Sequence, residues 1–418
     1  MTATQRLPRV LIITPGVLNP FKSSGVTLSR LFAEWPRECI AQIHSDVYPE
    51  DPSLASRYYA TGGPYRRPGR VGMRRAAQFA AFALGQAEHG LLWSRMSGRL
   101  RRWLRDYRPE VILSETGNLS FVHLTHEVMD ETGAPLVLHI PDDWMSEWPS
   151  NALGRSVPVV GPRLAGLARR EFARLVDRAS GLTAISEAMA QVYQQRYGRP
   201  WEVVVNGADL DAWPPVPLSD GPFTASRPFT LLYSGSLTGP TQFDGVRSLA
   251  RVVADLAAEG HPVRFEVATH PVFRHRAAEL PASPAVAFVE QVPVERLPAR
   301  FAEADALYLP GTFDPHHLRY GRLSMPGKVA EYLPSSRPVL VSGHPSLAWV
   351  AHAQRHGWGE VVATPEPAAM RAAVLRLASD GVRRAALVAR AREVAEAEFS
   401  IDVMRARLRD ALLQAVAA

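Results

Sequence analysis

A lysine and a glutamate three positions apart, Lys328 and Glu331, have the side-chain types and the spacing to bind a nucleotide. Residues at positions i and i+3 of a helix lie on one face. The ammonium of Lys328 would contact a diphosphate, and the carboxylate of Glu331 would accept hydrogen bonds from a ribose diol. A surface ion pair, which contributes only a few tenths of a kcal/mol, is an alternative of equal weight.

The segment that contains this pair predicts a strand, a polar loop, a short helix and a second strand. Residues 306–309 are an apolar run typical of a buried parallel strand. Pro326 suits a first helical turn, Pro334 ends the helix, and residues 338–342 form the next strand. In open α/β sheets ligands bind where a strand's carboxyl end meets a helix N-terminus, and the free N–H groups there favour phosphate.

Lysine is scarce in this chain. Of 47 basic residues only two, Lys22 and Lys328, are lysines, and arginine fills the other positions. Arginine does not replace lysine where a compact point charge is needed. Both lysines lie in or beside polar loops between a strand and a helix, so both are candidates for ligand contacts, although two retained residues are also compatible with chance.

Composition bounds the class of protein. The 418 residues predict two or three domains, and 46% hydrophobic and 21% charged residues are typical of a globular protein. The single cysteine, Cys39, excludes an internal disulfide framework and a cysteine-based zinc site. The first residues lack a signal-peptide pattern, and no apolar run reaches the roughly 18 residues of a spanning helix. These features predict a cytoplasmic protein.

A basic segment spans residues 66–108, where eleven arginines are accompanied by only two acidic residues, Glu88 and Asp106, and by several aromatic side chains. This pattern predicts a peripheral contact with anionic lipid on the inner face of the cell membrane, or with an anionic acceptor. The same electrostatic argument supports nucleic-acid binding less strongly, and such binding is not expected. The alternative interpretation, a solvated arginine-rich helical face without a binding partner, has the same weight.

The first predicted strand, 9–14, runs into a loop that contains Gly16 and Gly25 before a helix begins. Glycines in such a loop let a ligand approach the backbone. The loop has neither the Gly-Lys-Ser/Thr ending of a P-loop nor the spaced glycines of the dinucleotide fingerprint. Both ATP hydrolysis and NAD chemistry are therefore disfavoured.

Two carboxylates, Asp142 and Asp143, follow a predicted strand and precede Trp144. Their position past the carboxyl end of a strand makes them a candidate site, and capping of the next helix is the alternative. His139 lies within that strand, where a lone histidine is more often a hydrogen-bonded core residue. Glu115 lies where another predicted strand enters a polar loop.

Strands alternate with helices in both halves of the chain, which predicts two doubly wound parallel sheets. A tract with several prolines and serines, 213–228, is the predicted linker. The predicted divisions are therefore a first domain over 1–215, a second over 216–395 and a terminal helix over 396–418. A cleft between two such domains is the default ligand site.

Several short motifs, taken in their order and spacing, resemble those of GT-B glycosyltransferases, most of all the retaining enzymes of glycosyltransferase family 4 (group 1). The resemblance spans nearly the whole chain. The motifs are SGV at 24–26, LTAISE at 182–187, VVNGAD at 204–209, YSGSL at 233–237, SMPGKVAEY at 324–332 and PVLV at 338–341.

This resemblance implies an N-terminal domain for the acceptor and a C-terminal domain for a nucleotide-sugar donor, with a UDP- or GDP-sugar favoured. It implies bacterial glycan synthesis by sugar transfer with retained configuration to a glycan, a glycolipid or another acceptor. No cofactor and no essential metal are expected. The terminal helix would pack back on the N-terminal domain.

The resemblance assigns roles to some residues, and the positions of others at strand ends and in loops complete the predicted sets. Glu331 would bind the ribose, and Lys328 the diphosphate. The donor-binding set is Gly25, Gly235, Ser236, Gln242, Arg322, Ser324, Met325, Pro326, Gly327, Lys328 and Glu331. The acceptor-binding set is Lys22, Glu115, Asp143 and Trp144. The catalytic set is Asp142, His139 and Lys328.

Two departures from the family pattern leave alternatives open. Leu323 stands where the family commonly has a glutamate, and Ser236 and Thr241 stand where the donor loop usually has an arginine and a lysine. The candidates to supply the missing charge are Arg319, Arg322 and Lys22. A non-catalytic GT-B binding or activating partner and a nucleotide-sugar epimerase are the alternative functions.

Overall fold

The structure is a computed structural model, and it describes residues 6–19, 23–46, 48–61, 96–147, 160–237 and 239–418. The chain forms two compact units: Met1–Val205 with Met404–Ala418, and Asn206–Val403. The units divide after Val205, whereas the sequence placed the domain boundary at 215. Lys22 and residues 66–95 of the predicted basic segment lie outside the described residues.

The first unit is built on a parallel sheet. Its strands are β1 (Val10–Ile13), β2 (Ile40–His44), β3 (Arg57–Ala60), β4 (Val111–Ser114), β5 (Leu136–Ile140), β6 (Gly181–Ala184) and β7 (Glu202–Val203). They lie in the order β3-β2-β1-β4-β5-β6-β7. Every residue of β1, β2, β4 and β5 is buried, as expected for strands that helices cover on both faces.

Three helices of the first unit begin at polar caps. Ser97, Asn118 and Ser186 each accept a hydrogen bond from the backbone N–H three residues on, which satisfies one of the free donors of a helix start. The described helices up to Tyr197 are α1 (Ser23–Leu31), α2 (Gly98–Tyr107), α3 (Leu119–Thr132), α4 (Trp144–Glu147), α5 (Val160–Arg178) and α6 (Glu187–Tyr197).

The second unit is built on a parallel sheet of six strands. They are β8 (Phe229–Ser234), β9 (Val263–Thr269), β10 (Val286–Glu290), β11 (Ala306–Leu309), β12 (Val339–Ser342) and β13 (Gly359–Val362). Their order is β10-β9-β8-β11-β12-β13. The strands that follow β8 in sequence are thus added first on one side of it and then on the other side. The strands around β1 in the first unit follow the same order. The predicted fold class, α/β with two Rossmann-like doubly wound domains, is confirmed.

Helices and short 3₁₀ turns connect the strands of the second unit. The helices are α7 (Gly239–Ala258), α8 (Leu297–Ala302), α9 (Pro315–Gly321), α10 (Lys328–Tyr332), α11 (Ala348–His356), α12 (Pro367–Ser379) and α13 (Gly381–Glu398), followed by the terminal helix α14 (Ile401–Ala417). The 3₁₀ turns among the described residues are Arg37–Cys39, Leu210–Ala212, Pro271–Glu279 and Val294–Arg296.

The terminal helix α14 completes the first unit from Met404 onward. Met404, Leu408 and Leu412 are buried. The backbone N–H of Val205 lies 3.2 Å from Met404 Sδ, and Arg407 donates to the carbonyl of Val203 at 2.9 Å. The last strand of the first unit is therefore held by residues that are about 200 positions later in the chain.

Candidate active site

In the second unit, the loop that leaves β8 is shaped by Gly235. This residue has φ +149°, and its N–H donates to the carbonyl of Ala268 at 2.9 Å. A Cβ at Gly235 would lie 2.3 Å from Lys328 Nζ and 2.2 Å from Lys328 Cε. A side chain here would have to displace the end of Lys328, which crosses directly over this backbone, and residues other than glycine rarely adopt this φ.

Lys328 is the first residue of α10, and its ammonium lies over the ring of Tyr233, 5.2 Å from the centroid. Burial lowers the pKa of Lys328, and the nearby Glu331 carboxylate opposes that shift. The two residues of the predicted pair therefore do interact. The ammonium lies at the carboxyl end of β8, beside the point where the chain crosses from one side of the sheet to the other, and such switch points bind ligands.

Three fully buried tyrosines of the second unit hydrogen-bond through their hydroxyls to the backbone of β8, of the loop after it and of α7. Tyr233 donates to the carbonyl of Ser236 at 2.6 Å. The hydroxyl of Tyr332 accepts from the N–H of Ser234 at 3.2 Å, and Tyr308 donates to the carbonyl of Gly245 at 3.0 Å. Sequence analysis did not single out these residues, because each one continues an ordinary apolar pattern.

The predicted diphosphate turn contains both buried and exposed residues. Leu323 and Met325 are buried, and Ser324 and Pro326 are half-buried. Arg322 and Gly327 are exposed, and a Cβ at Gly327 would lie 3.0 Å from Asn206 Nδ2. Ser236 is exposed in the loop after β8, and Gln242 is half-buried in α7.

In the first unit, polar side chains meet at the carboxyl ends of four adjacent strands. Thr14 donates to Glu115 Oε2 at 3.0 Å, and His139 Nδ1 lies 2.8 Å from the hydroxyl of Thr183. Glu115 Oε1 and His139 Nε2 are 3.9 Å apart. All four residues are buried, so the sheet holds a polar row inside an apolar core.

Burial makes both titratable members of this row neutral at pH 7. It raises the pKa of the Glu115 carboxyl to about 8, with a smaller contribution from Asp142, while the hydrogen bond from Thr14 acts in the opposite direction. It lowers the pKa of His139 to about 4. Within the described part of the chain, Glu115 Oε1 and His139 Nε2 have no hydrogen-bond partner. A neutral carboxyl group can donate a hydrogen bond, which a carboxylate cannot.

The adjacent acids Asp142 and Asp143 differ in their surroundings. Asp142 is exposed. Asp143 is buried and accepts hydrogen bonds from Tyr193 at 2.8 Å and from Ser146. Trp144 is also buried, and its ring packs edge-on against Phe172. Asp142 is thus the member of the pair whose carboxylate faces solvent.

Two family profiles match the chain. Residues 30–208 match the profile described as "Glycosyl transferase 4-like domain", and residues 228–380 match "Glycosyl transferases group 1". Together they cover most of both units.

The chain belongs to the group 1 glycosyltransferases.

Solved structures share the fold over nearly the full length of this glycosyltransferase. Anabaena HepE, in complex with UDP and glucose, is 14% identical, with 97% of this chain and 99% of that chain covered and a TM-score of 0.62. Sucrose-phosphate synthase from Thermosynechococcus elongatus is 14% identical, with 98% and 99% covered and a TM-score of 0.62. Trehalose 6-phosphate synthase from Burkholderia multivorans is 12% identical, with 98% and 99% covered and a TM-score of 0.64.

A comparison with curated proteins found no significant match. Among the described helices, none has the length and apolar character needed to cross a membrane.

The glycine loop of the first unit is folded by a residue that sequence analysis missed. Gln42, fully buried in β2, accepts from the N–H of Leu18 at 2.9 Å and donates to the carbonyl of Gly16 at 2.8 Å. A Cβ at Gly25 would lie 2.3 Å from the carbonyl oxygen of Val17. Gly25, predicted as donor-binding, therefore lies in the first unit and keeps this loop compact.

The part of the predicted basic segment that the structure describes includes α2. Arg99, Arg101, Arg102 and Arg105 are exposed on this helix, and Leu100 and Leu104 point into the core. Glu131 lies 3.7 Å from Arg101 and 3.9 Å from Arg105. Exposed ion pairs of this kind contribute little to stability. The four exposed arginines give the helix a net positive charge.

Proposed function

We propose that this glycosyltransferase takes its sugar from a nucleotide-sugar donor, a UDP- or GDP-sugar, and binds the diphosphate beside Gly235. One observation carries the proposal: the Lys328 ammonium crosses Gly235 at the carboxyl end of β8. Cleavage of a glycosyl–phosphate bond adds negative charge to the departing diphosphate. A fixed ammonium at that position stabilises the transition state more than the ground state.

The solved relatives support the choice of nucleotide. HepE is described in complexes with UDP, with UDP and glucose, and with UDP-glucose. A trehalose-phosphate synthase of the same fold is described as UDP-forming. In this chain Glu331 would accept hydrogen bonds from the ribose diol, because it lies one helical turn from Lys328 on α10.

We assign to the first unit the recognition of the acceptor and the catalytic groups other than Lys328. Asp142 would act at the reacting sugar, since its carboxylate is exposed next to the buried polar row. The neutral Glu115 carboxyl, which lies next to His139, would donate a hydrogen bond to the bound acceptor. The reaction would retain the anomeric configuration and need no metal ion. The acceptor would be a glycan or a lipid-linked glycan, and the exposed arginines of α2 support contact with an anionic membrane surface.

Thermal-shift titration with UDP, GDP, ADP and dTDP tests the donor site. We expect one nucleotide to stabilise the wild type by about 2.7 kcal/mol at 100 times its dissociation constant. Glu331→Ala should lose most of that gain, whereas Glu303→Ala, a control on an exposed carboxylate of the same unit, should keep it. If none of the four nucleotides stabilises the wild type, the donor proposal is wrong and a non-catalytic binding partner becomes the better account.

Product analysis tests the reaction. With the matching nucleotide sugar and acceptor, the anomeric proton coupling of the product should be that of the donor, and turnover should persist in EDTA. Inversion would overturn retention, and loss of turnover in EDTA would overturn metal independence. Conversion of the donor sugar without any acceptor would identify an epimerase instead.

A further inference from the structure

Tyr233 is the closest aromatic partner of the Lys328 ammonium that the structure describes. It is the last residue but one of β8 and is fully buried. Its ring centroid lies 5.2 Å from Lys328 Nζ, within the roughly 6 Å over which a ring face attracts a cation. This attraction is stronger where the cation is partly removed from water, as it is for Lys328.

Tyr233 also sets the loop that Lys328 crosses. Its hydroxyl donates to the carbonyl of Ser236 at 2.6 Å, one residue beyond Gly235. The ring thus lies against the ammonium while the hydroxyl holds the backbone of the donor loop. Gly235 leaves the space through which the lysine side chain passes, because a Cβ there would overlap Cε and Nζ.

Resting on the proposed donor site, we infer that Tyr233 is the positioning residue for Lys328. Its ring face holds the ammonium at the end of β8, and its hydroxyl fixes the loop on which the diphosphate would lie. Because Ser236 and Thr241 provide no cation in the donor loop, we expect the position of the Lys328 ammonium to contribute to diphosphate affinity. The two functions of Tyr233 belong to different atoms, so they can be separated by substitution.

The titratable groups near the ammonium make its pKa a clean readout. Glu331 is the charged group that acts on Lys328, and it raises the pKa of the lysine. Tyr233 and Tyr332 stay protonated in the same range, because burial raises the pKa of both phenols well above 10. A change in ring contact at position 233 therefore reports directly on the lysine.

The scarcity of lysine makes the measurement simple. Lysine labelled with ¹³C at Cε gives two signals, from Lys22 and Lys328, and Lys22→Arg assigns them. We expect Tyr233→Phe to leave the pKa of Lys328 near its wild-type value. Tyr233→Leu should lower it by about one unit, the shift that a partly buried cation–ring contact would produce. Equal pKa values in the wild type and the Leu variant would overturn the role of the ring.

A series of fluorinated phenylalanines at position 233 covers the case in which the Leu variant does not fold. Fluorine withdraws electron density from the ring face while the ring keeps its place in the core. The pKa of Lys328 should fall stepwise with the number of fluorines. A pKa that is flat across the series contradicts the inference.

Nucleotide affinity links this position to the donor site. UDP, or whichever nucleotide the titration selects, should bind Tyr233→Leu about tenfold more weakly than the wild type, which would correspond to a loss of about 1.4 kcal/mol. Tyr233→Phe should fall between the two, because it keeps the ring contact with Lys328 and loses the hydroxyl bond to Ser236. The lysine titration uses no nucleotide, so the two proposals fail separately. A shifted pKa without nucleotide binding overturns the donor site alone. Nucleotide binding with an unshifted pKa overturns only the role of Tyr233.

Discussion

At the scale of single residues, the first unit holds two titratable groups in their neutral forms. The Glu115 carboxyl has its pKa raised to about 8, and the His139 imidazole has its pKa lowered to about 4, both by burial. A buried acid of this kind binds a proton that the unfolded chain releases above its ordinary pKa of 4.5. Its contribution to stability is therefore full at low pH and is lost as pH rises through the folded pKa.

Glu115→Gln removes that proton linkage and keeps the shape of the side chain. Between pH 4.5 and 8 the wild type should lose stability relative to the variant, by at most about 1.4 kcal/mol per pH unit. Above pH 8 the difference should level off. Urea unfolding of both proteins at pH 5, 6, 7, 8 and 9 measures it, and a difference that is constant over this series would show that Glu115 is ionised in the folded protein.

Gly235→Ala tests the crossing of Lys328 over the donor loop. The new Cβ would overlap Cε and Nζ, so the flexible lysine end should move away and nucleotide affinity should fall by about tenfold or more. The variant should also lose stability, since φ +149° is strained for alanine.

The control for Gly235→Ala is Gly260→Ala. Gly260 also has a positive φ, +90°, but no atom lies within 4 Å of its new Cβ. This variant should lose stability and keep nucleotide affinity. Equal losses of affinity in the two variants would mean that backbone strain, and not the position of Lys328, controls binding.

At the scale of elements, the sequence predicted most strands because they are apolar runs between turn residues. It missed β3, whose four residues Arg57–Ala60 are exposed or half-buried and form no apolar run. It also treated Pro315–Gly321 as part of a polar loop, although Asp314 caps this helix and Pro315 begins it. Asp followed by Pro was a readable helix-start signal.

The contacts of the candidate site were less predictable than its location. The pattern of strands and loops indicated Asp142 at a strand end and Lys328 on a short helix after a strand-to-helix loop, and the family resemblance added Gly235. It did not indicate that Lys328 lies over Tyr233, because the two are 95 positions apart and the contact depends on side-chain direction across the sheet. Nor could it tell which of two adjacent aspartates would be buried.

Helices α11 and α13 of the second unit are joined by a cluster that resembles a metal site. His352 Nε2 lies 2.9 Å from Glu398 Oε2, and His356 Nδ1 lies 3.3 Å from Glu398 Oε1. Trp358 donates to His352 Nδ1 at 2.9 Å. Because an indole N–H is only a donor, Nδ1 has no proton, and the proton of the neutral ring is on Nε2, facing Glu398. That proton occupies the position a zinc ion would need.

Trp358→Phe should convert this cluster into a zinc site. Without the indole, Nδ1 can take the proton and Nε2 becomes free to bind a metal ion. Zinc should leave the melting temperature of the wild type unchanged and raise that of the variant. The double variant Trp358→Phe/His356→Ala is the control and should not respond. Equal stabilisation of the wild type by zinc would contradict the assigned position of the proton.

At the scale of the whole molecule, the chain passes between the two units after Val205 and again before Met404. Inside the second unit, the two passages are joined by backbone hydrogen bonds. The N–H of Ala208 donates to the carbonyl of Phe399 at 2.8 Å, and the N–H of Ile401 donates to the carbonyl of Ala208 at 2.9 Å. A Cβ at Gly207 would lie 2.7 Å from Ile401 Cα.

Gly207→Ala should push apart the two chain segments that the hydrogen bonds of Ala208 and Ile401 join, because the clash is with backbone and cannot be relieved by a side-chain rotation. We expect the amides of Ala208 and Ile401 to exchange hydrogen faster, and the protein to be destabilised. Gly166→Ala is the control, because its new Cβ meets nothing within 4 Å. Replacing glycine by alanine in a helix should raise the free energy of unfolding by about 0.5–1 kcal/mol. Unchanged exchange at both amides would show that the crossing tolerates a side chain.

The return of α14 to the first unit has a consequence for biosynthesis. Residues 404–418 are translated after the whole of the second unit, yet they belong to the same unit as residues 1–205. At roughly 5–20 residues per second, the first 205 residues wait about 10–40 s for their final helix. The second unit, 206–403, is translated without a break within that interval. The growing chain should therefore complete its second unit before its first, and on the ribosome the exposed edge of the early sheet is where a chaperone would be needed.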